Sequence, residues 1–553
     1  MAGRDIHFST SAVSPEEVDK IIRNLRNSKS SGIDNLDTYI IKLIRPYIIP
    51  AVCHIINLSL QSKKFPTKWK IAKVIPLYKG KGSKFDPKNF RPVAILPVLS
   101  KVLERAMYNQ ITNYMDRNRL FNPSHHAYRS YHSTTTALIQ MQDSWLDAVD
   151  QGDLAGVCMV DMSAAFDVVD TELLLEKMKL YGFDRDAVQW MCSYLTYRFQ
   201  GVYIEGSMSN LLPLEAGVPQ GSILGPIFYT LFTNELPEVV HEESCPRRAD
   251  GQSAFSILCS ECGGMCCYAD DSTYTVTGKT AEELTEKLSR KYNVVADFLT
   301  DNKLKVNDDK THLLVMTTRQ KRRFVDTSRT RIHTPSASIT PSSSERLLGA
   351  EVHQDMKWAS HILTGHDSLV KSLIRRTSAL KKIQNIASFQ TRKMIGTGIF
   401  MSKLIYLMPL WGGCEDYLVK ALQVVQNKAA RSITRLSIYT PTKMLLKTCQ
   451  WMSVRQLLVY HSLVMLQKTL KMKLPAYLDS RITLGGPFPY RIRHAANCTI
   501  RQIPGNKKDL YRQGWCWRSI EVYNTLPDHI RLEEKLPSFK IKLRSWVEEN
   551  VAI

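Results

Sequence analysis

Three acids stand where a metal-assisted reaction could use them. Asp161 closes the apolar run AGVCMVD (155–161), and Asp270 and Asp271 sit between the β-prone halves of MCCYADDSTYTV (265–276). Phosphoryl and nucleotidyl transfer leave a protein little covalent work. They need two Mg²⁺ ions about 3.5–4 Å apart, one on the attacking and one on the leaving oxygen. Mg²⁺ takes hard oxygen ligands and keeps some of its waters, so one or two carboxylates per ion plus substrate phosphates suffice. A carboxylate at the end of a buried strand, beside two more on an adjacent hairpin turn, supplies that set. Taken singly, acids at strand ends and turns are ordinary solvated groups. The spacing of Asp161 from Asp270 carries no information without a fold.

The elements that must position them can be read from periodicity. AGVCMVD is the pattern of a strand buried on both faces, its last residue emerging at the sheet edge. YADD predicts a tight turn between two strands. Upstream, residues 15–30 predict an amphipathic helix with Val18, Ile21, Ile22 and Leu25 on one face, and 35–63 a second helical stretch ended by Pro66. KVIPLY (73–78) reads as a strand, and 100–114 as a helix with Ser100 as N-cap. Asp170 caps a helix that stops at Gly182, another covers 185–197, and 200–215 is a hairpin turning at SMSN. Residues 223–233 and 280–300 read as helices and 312–317 as a strand. Residues 318–345, basic and rich in Ser and Thr, predict an exposed connection. Beyond 358 the pattern is helical, which suggests α+β followed by a helical region.

The chain has 553 residues, 44% of them apolar, enough for several cores, and 74 Lys and Arg against 52 acids give a formal charge of +22. Such an excess favours a polyanionic partner. No apolar run reaches the roughly 18 residues of a membrane span, and Met1 to Thr10 has no signal-peptide core, so nucleic acid is favoured over a membrane surface. The twelve cysteines are scattered and read as reduced thiols, which places the chain in cytoplasm or nucleus and not outside the cell.

VDMSAAFD (160–167), AGVPQGSILGPIFY (216–229) and CYADD (267–271) occur in the order found in reverse transcriptases of non-LTR retrotransposons, which this chain resembles. KSSGIDNL (29–36), PTKWKIAKVIPLYKGKG (66–82), FRPVAILPVLSKVLER (90–105), HHAYRSYHSTTTAL (125–138), LKVNDDKTHLL (304–314) and LLGAEVHQDMKW (347–358) agree. The tail, with LPAYL (474–478) and YNTLPDHIR (523–531), looks like the jockey-like branch.

The resemblance implies a right-hand polymerase: residues 1–60 a helical extension of the fingers, 61–357 fingers and a palm with an antiparallel sheet, 358–473 a helical thumb, and 474–553 a basic C-terminal region. It implies an RNA template, a DNA primer and deoxynucleotides as partners, with Mg²⁺ (or Mn²⁺) as cofactor. Asp161, Asp270 and Asp271 would be the metal ligands and Lys310 an aid to the leaving pyrophosphate. Arg91, with Lys79 or Lys81, would take the triphosphate, and the Phe166 ring would exclude a 2′-hydroxyl. Gln220 would contact sugar and template, and Gly217 and Gly221 would let backbone approach the substrate. Arg129 and Ser133 match the family's template-contacting positions.

Within 241–266 lies an insertion in which His241, Cys245, Cys259 and Cys262 have the spacing of a tetrahedral zinc site. Lys371, Arg375, Arg376, Lys381, Lys382, Arg392 and Lys393 suit phosphate contacts by the thumb. Arg319 to Arg323 is a nuclear-import signal, a nucleic-acid patch or a plain basic loop, and Trp515, Trp517 and Trp546 either stack on bases or belong to a core. Family members usually carry an endonuclease ahead of the polymerase, so transposition is expected to need that activity from elsewhere. A catalytically inactive nucleic-acid-binding remnant is the alternative, set against the intact acids, Arg91, Gln220 and Lys310.

Overall fold

The computed structural model describes residues 6–80, 82–163, 165–240, 263–334, 337–482 and 509–552. Its main strands are β1 (Ile71–Tyr78), β2 (Phe90–Ile95), β3 (Leu154–Val160), β4 (Arg198–Ile204), β5 (Ser207–Met208), β6 (Leu212–Leu214), β7 (Gly264–Tyr268), β8 (Asp271–Gly278) and β9 (His312–Met316). The α/β chain forms two compact units. One comprises Met1–Tyr128, Asp161–Val239 and Val294–Asn307; the other comprises Arg129–Val160, Val240–Asn293 and Asp308–Ile553.

In the first unit the sheet order is β2-β1-β4-β5, with β6 also on β4. Strand β1 runs antiparallel to β2 and parallel to β4. Alternation buries Ala72, Val74 and Ala94 and leaves Ile75, Leu77 and Val93 outward. Helix Pro15–Asn24 is capped by Ser14 and buries Val18, Ile21 and Ile22, ending before Ser30. The stretch 35–63 is two helices, Thr38–Leu43 and Arg45–Ser62, because Pro46 must occupy a first turn, where no N–H is needed. Helix Val98–Arg117 starts directly after Pro97, so Ser100 is not its cap; it lies inside and donates to Glu104 Oε1 at 2.8 Å. Asp170 does cap Thr171–Leu180, accepting from Leu173 N–H at 2.9 Å. The β4–β5 turn is Glu205-Gly206, both at positive φ, rather than SMSN; a two-residue turn of this hand fits the strand twist.

In the second unit the sheet order is Pro341–Ser342, β9, β3, β8, β7. Every residue of β3 is buried, as its apolar run requires, and it pairs antiparallel with both β8 and β9. Gly156 admits close packing: a Cβ there would come within 3.0 Å of Leu284 and Leu288. Helix Thr134–Asp150 is tied to the sheet where Trp145 Nε1 donates to Thr275 Oγ1 at 3.1 Å.

The segment 318–345 is more than a connection. Arg319–Arg322 is a helical turn whose Arg319 and Arg322 both donate to Asp355, and Pro341–Ser342 adds a parallel strand to β9. Composition cannot show a partner so far along the chain. Helices Leu369–Lys382, Asp416–Thr434 and Val454–Met472 follow, as expected. Their core continues into Trp515, Ile520, Phe539 and Leu543 and includes Ile139 and Trp145. Trp515 is therefore core, fully buried, and is not a base-stacking platform. Cys53, Cys158, Cys192, Cys266, Cys267, Cys414, Cys449 and Cys516 are free thiols. Among the described residues no helix is long and apolar enough to cross a membrane.

Candidate active site

The β7–β8 hairpin closes through Tyr268↔Asp271, leaving Ala269 (φ 57°) and Asp270 as its two-residue turn. Asp270 and Asp271 are exposed. In the neighbouring ladder Val160 stands opposite Ser272. Asp271 is the residue before Ser272 and Asp161 the residue after Val160, so each acid directly adjoins, in sequence, a residue of the last pair in this ladder. The backbone around Asp161 is fixed as well. Asn307 N–H donates to Asp161 O at 2.9 Å and Ser163 N–H to Lys305 O at 3.0 Å, with a Met162↔Val306 bridge between.

Among the described residues, no three His, Cys, Asp or Glu side chains form a ready-made metal cage. The donor chemistry nonetheless fits Mg²⁺, which needs few protein carboxylates and completes its shell with water and phosphate. The zinc set His241, Cys245, Cys259 and Cys262 lies outside the described residues, as does Lys81.

Lys310 is exposed and ends the short turn Asp308–Lys310. Tyr292 Oη donates to Asp308, and Thr334 Oγ1 lies 3.3 Å from Asp308 Oδ2. Burial, then the Asp308 hydrogen bond and charge, hold the Tyr292 phenol well above its ordinary value, so it stays a donor.

In the first unit Phe166 and the Pro-Gln-Gly loop are laced together. Val218 N–H donates to Phe166 O and Gly217 N–H to Val169 O, both at 2.9 Å. The Phe166 ring is half-buried and stacks on Tyr229, centroids 4.6 Å apart and planes at 28°, while Tyr229 Oη donates to Met162 Sδ at 3.3 Å. Gln220 Nε2 donates to Asp167 Oδ1 at 2.6 Å. The two glycines meet the protein's own backbone: a Cβ at Gly217 would lie 2.5 Å from Asp167 O, and one at Gly221 2.4 Å from Ala94 O. Their positive φ (79° and 119°) and this crowding account for both without a substrate.

Arg91 is exposed on β2, opposite Leu77. Lys79 is less available than its sequence suggests, because its Nζ donates to Lys88 O at 2.6 Å. In the second unit Arg129 is half-buried. Ser133 is the N-cap of helix Thr134–Asp150, its hydroxyl accepting Thr136 N–H at 3.2 Å in a capping box. Of the basic residues that the sequence suggested for phosphate contacts, Lys371, Arg375, Lys381 and Lys382 are exposed. Arg392 is buried and donates to the carbonyls of Ile433, Gln384 and Ala387, so its guanidinium is engaged within the helical region.

Two residues of the site escaped the sequence reading. Glu104 is fully buried and accepts the backbone N–H groups of Ile223 (2.6 Å) and Leu224 (3.3 Å), anchoring the loop that carries Gln220. Its only signal was an acid on the buried side of a helix inside an otherwise matching motif. Asp167 is the other; its signal was its place beside Phe166.

Residues 79–352 match the family model described as reverse transcriptase (RNA-dependent DNA polymerase). The chain is 26% identical over 427 residues to a protein of Drosophila melanogaster named a probable RNA-directed DNA polymerase from transposon BS, covering 77% of this chain and 45% of that one. It is 25% identical over 433 residues to the RNA-directed DNA polymerase from mobile element jockey of the same species, covering 78% and 45%. The jockey polymerase of Drosophila funebris is likewise 25% identical, over 431 residues, with 78% and 45% covered. The chain thus spans about 45% of the length of these relatives. With the motif order agreeing, residues 79–352 are similar to a reverse transcriptase domain, and the relatives named above belong to non-LTR elements such as jockey.

Proposed function

We propose that the chain is an RNA-directed DNA polymerase of a non-LTR retroelement, which copies an RNA template by adding deoxynucleotides to a primer 3′-OH and releases pyrophosphate. The observation that carries this reading is the register Val160↔Ser272, which ends two paired strands next to Asp161 and Asp271. Asp161, Asp270 and Asp271 would hold two Mg²⁺ ions, with Mn²⁺ as a substitute. When bound, such ions activate the attacking hydroxyl and offset charge on the leaving oxygen.

The chain's own residues do the rest. Arg91 forks onto the triphosphate, since planar guanidinium matches phosphate bidentately, and Lys79 adds charge nearby. Phe166 sits under the sugar and leaves no room for a 2′-hydroxyl. Gln220 contacts the sugar, and Lys310 gives a proton to the departing pyrophosphate. Arg129 and Ser133 face the template strand. Residues 1–60 extend the fingers, 61–357 form fingers and palm, 358–473 the thumb, and 474–553 a basic C-terminal region.

Primer extension on poly-rA/oligo-dT with Mg²⁺ tests the reading. Extension that disappears in Asp270→Ala, with primer-template binding retained, supports it. Binding without extension by the unaltered chain overturns it, and extension on DNA templates alone overturns the choice of RNA.

A further inference from the structure

We propose that Asp167 is a positioning residue that locks the side-chain amide of Gln220 in one orientation, so that Gln220 offers the incoming nucleotide an acceptor, its carbonyl oxygen. The inference rests on the polymerase reading and deepens it.

A side-chain amide is two-faced. Its NH₂ only donates, its oxygen only accepts, and half a turn exchanges them. A free glutamine in a nucleotide pocket could therefore meet either a donor or an acceptor. Here the choice is made by a neighbour. Gln220 approaches Asp167 Oδ1 to 2.6 Å, and a carboxylate can only accept, so the amide atom beside it is the nitrogen. The amide oxygen is then turned away from Asp167.

The two side chains are also held at fixed separation by their backbones. On one side of Asp167, Phe166 O accepts Val218 N–H; on the other, Val169 O accepts Gly217 N–H, each at 2.9 Å. Gly217 packs so closely on the Asp167 carbonyl that no Cβ would fit. On the far side of the loop Ala94 N–H donates to Gln220 O at 2.8 Å. The ring of Phe166, next in the chain to Asp167, is held against Tyr229. The carboxylate, the amide and the proposed sugar-reading ring thus belong to one laced segment of the first unit.

An acceptor selects a donor. The sugar of a deoxynucleoside triphosphate has one, its 3′-hydroxyl. A nucleotide without that hydroxyl would leave the Gln220 oxygen unpaired, and an unpaired polar group in a site is costly. Asp167 should therefore govern discrimination between deoxy- and dideoxynucleotides without itself touching either.

The test is single-nucleotide extension of poly-rA/oligo-dT with dTTP and with ddTTP, comparing kcat/KM for the unaltered chain, Asp167→Ala, Asp167→Asn, Gln220→Ala and the double alanine variant. The unaltered chain should prefer dTTP. D167A should lose about five- to ten-fold of that preference, mainly through KM for dTTP. The double variant should lose no more than Q220A. D167N keeps an acceptor oxygen and should recover part of the preference. Equal losses on both nucleotides, or additive effects of the two alanines, would overturn the proposal while leaving the polymerase reading intact. No extension of either nucleotide by the unaltered chain would overturn both.

Discussion

Glu104 and Ile223 lie far apart in sequence, yet the Glu104 carboxylate accepts the Ile223 backbone N–H at 2.6 Å from a fully buried position. The same oxygen takes Leu224 N–H at 3.3 Å, and the other takes the Ser100 hydroxyl at 2.8 Å. Glu104 thereby takes the two N–H groups just ahead of helix Gly225–Phe232, while the Ser222 hydroxyl accepts Gly225 N–H at 2.9 Å.

Glu104→Ala should strand those backbone donors and cost about 2–4 kcal/mol of stability. Glu104→Gln, which keeps one acceptor oxygen for the loop, should cost about half as much. Urea denaturation checks the ranking, and KM for dTTP should rise in the order of lost stability, because the anchored loop also carries Gln220.

Phe166→Val should relax exclusion of ribonucleotides. The ring is half-buried and braced by Tyr229, so trimming it opens space at the sugar without emptying a core. The expected change is a roughly 10- to 100-fold rise in incorporation of UTP relative to dTTP. An unchanged ratio would mean that Phe166 is only a packing residue.

Asp143 predicts a pH dependence of stability. It is fully buried on helix Thr134–Asp150; burial pushes its carboxyl up to about 6, with Arg481 pulling the other way and Asp147 adding to the rise. Folding thus favours the protonated form. Its stabilising effect is full below the unfolded value near 4 and is lost as pH rises through about 6. Asp143→Asn should remove that slope and stabilise the chain at neutral pH by on the order of 2–3 kcal/mol. Melting temperatures from pH 4 to 8 decide it.

Trp515→Ala should destabilise by about 3–5 kcal/mol, the cost of emptying a large buried aromatic. Because Trp515 shares a core with Ile139 and Trp145, the loss should be seen in melting of the catalytic region and not only in its C-terminal segment. Independent melting of the two would contradict this.

Much of the scaffold was legible because it obeys local rules. The unbroken apolar run of β3 has one solution in a sheet covered on both faces, and Asp170 is a cap where it precedes such periodicity. The acids read as candidate ligands only together, once ordered motifs supplied a fold. What stayed hidden depends on partners remote in the chain. Ser100 has the composition of a cap but is buried against Glu104, because Pro97 starts the helix three residues earlier. Arg392 and Arg322 count as surface charge until Ile433 and Asp355 are found beside them. Gly221 suggests a ligand until Ala94 is seen to occupy the space. Trp515 sits in a basic region, and composition cannot tell a stacking ring from a buried one.

Strand β3 has a ladder on each side, β8 on one and β9 on the other. Its amide hydrogens can meet solvent only if the whole sheet comes apart, so they should be among the slowest in the molecule to exchange with deuterium. The turn at Ala269-Asp270 lacks that protection. One proposed ligand therefore follows a strand paired on both sides, and another sits in a two-residue turn outside the ladder. Metal affinity should be sensitive to fluctuation at Asp270 far more than at Asp161.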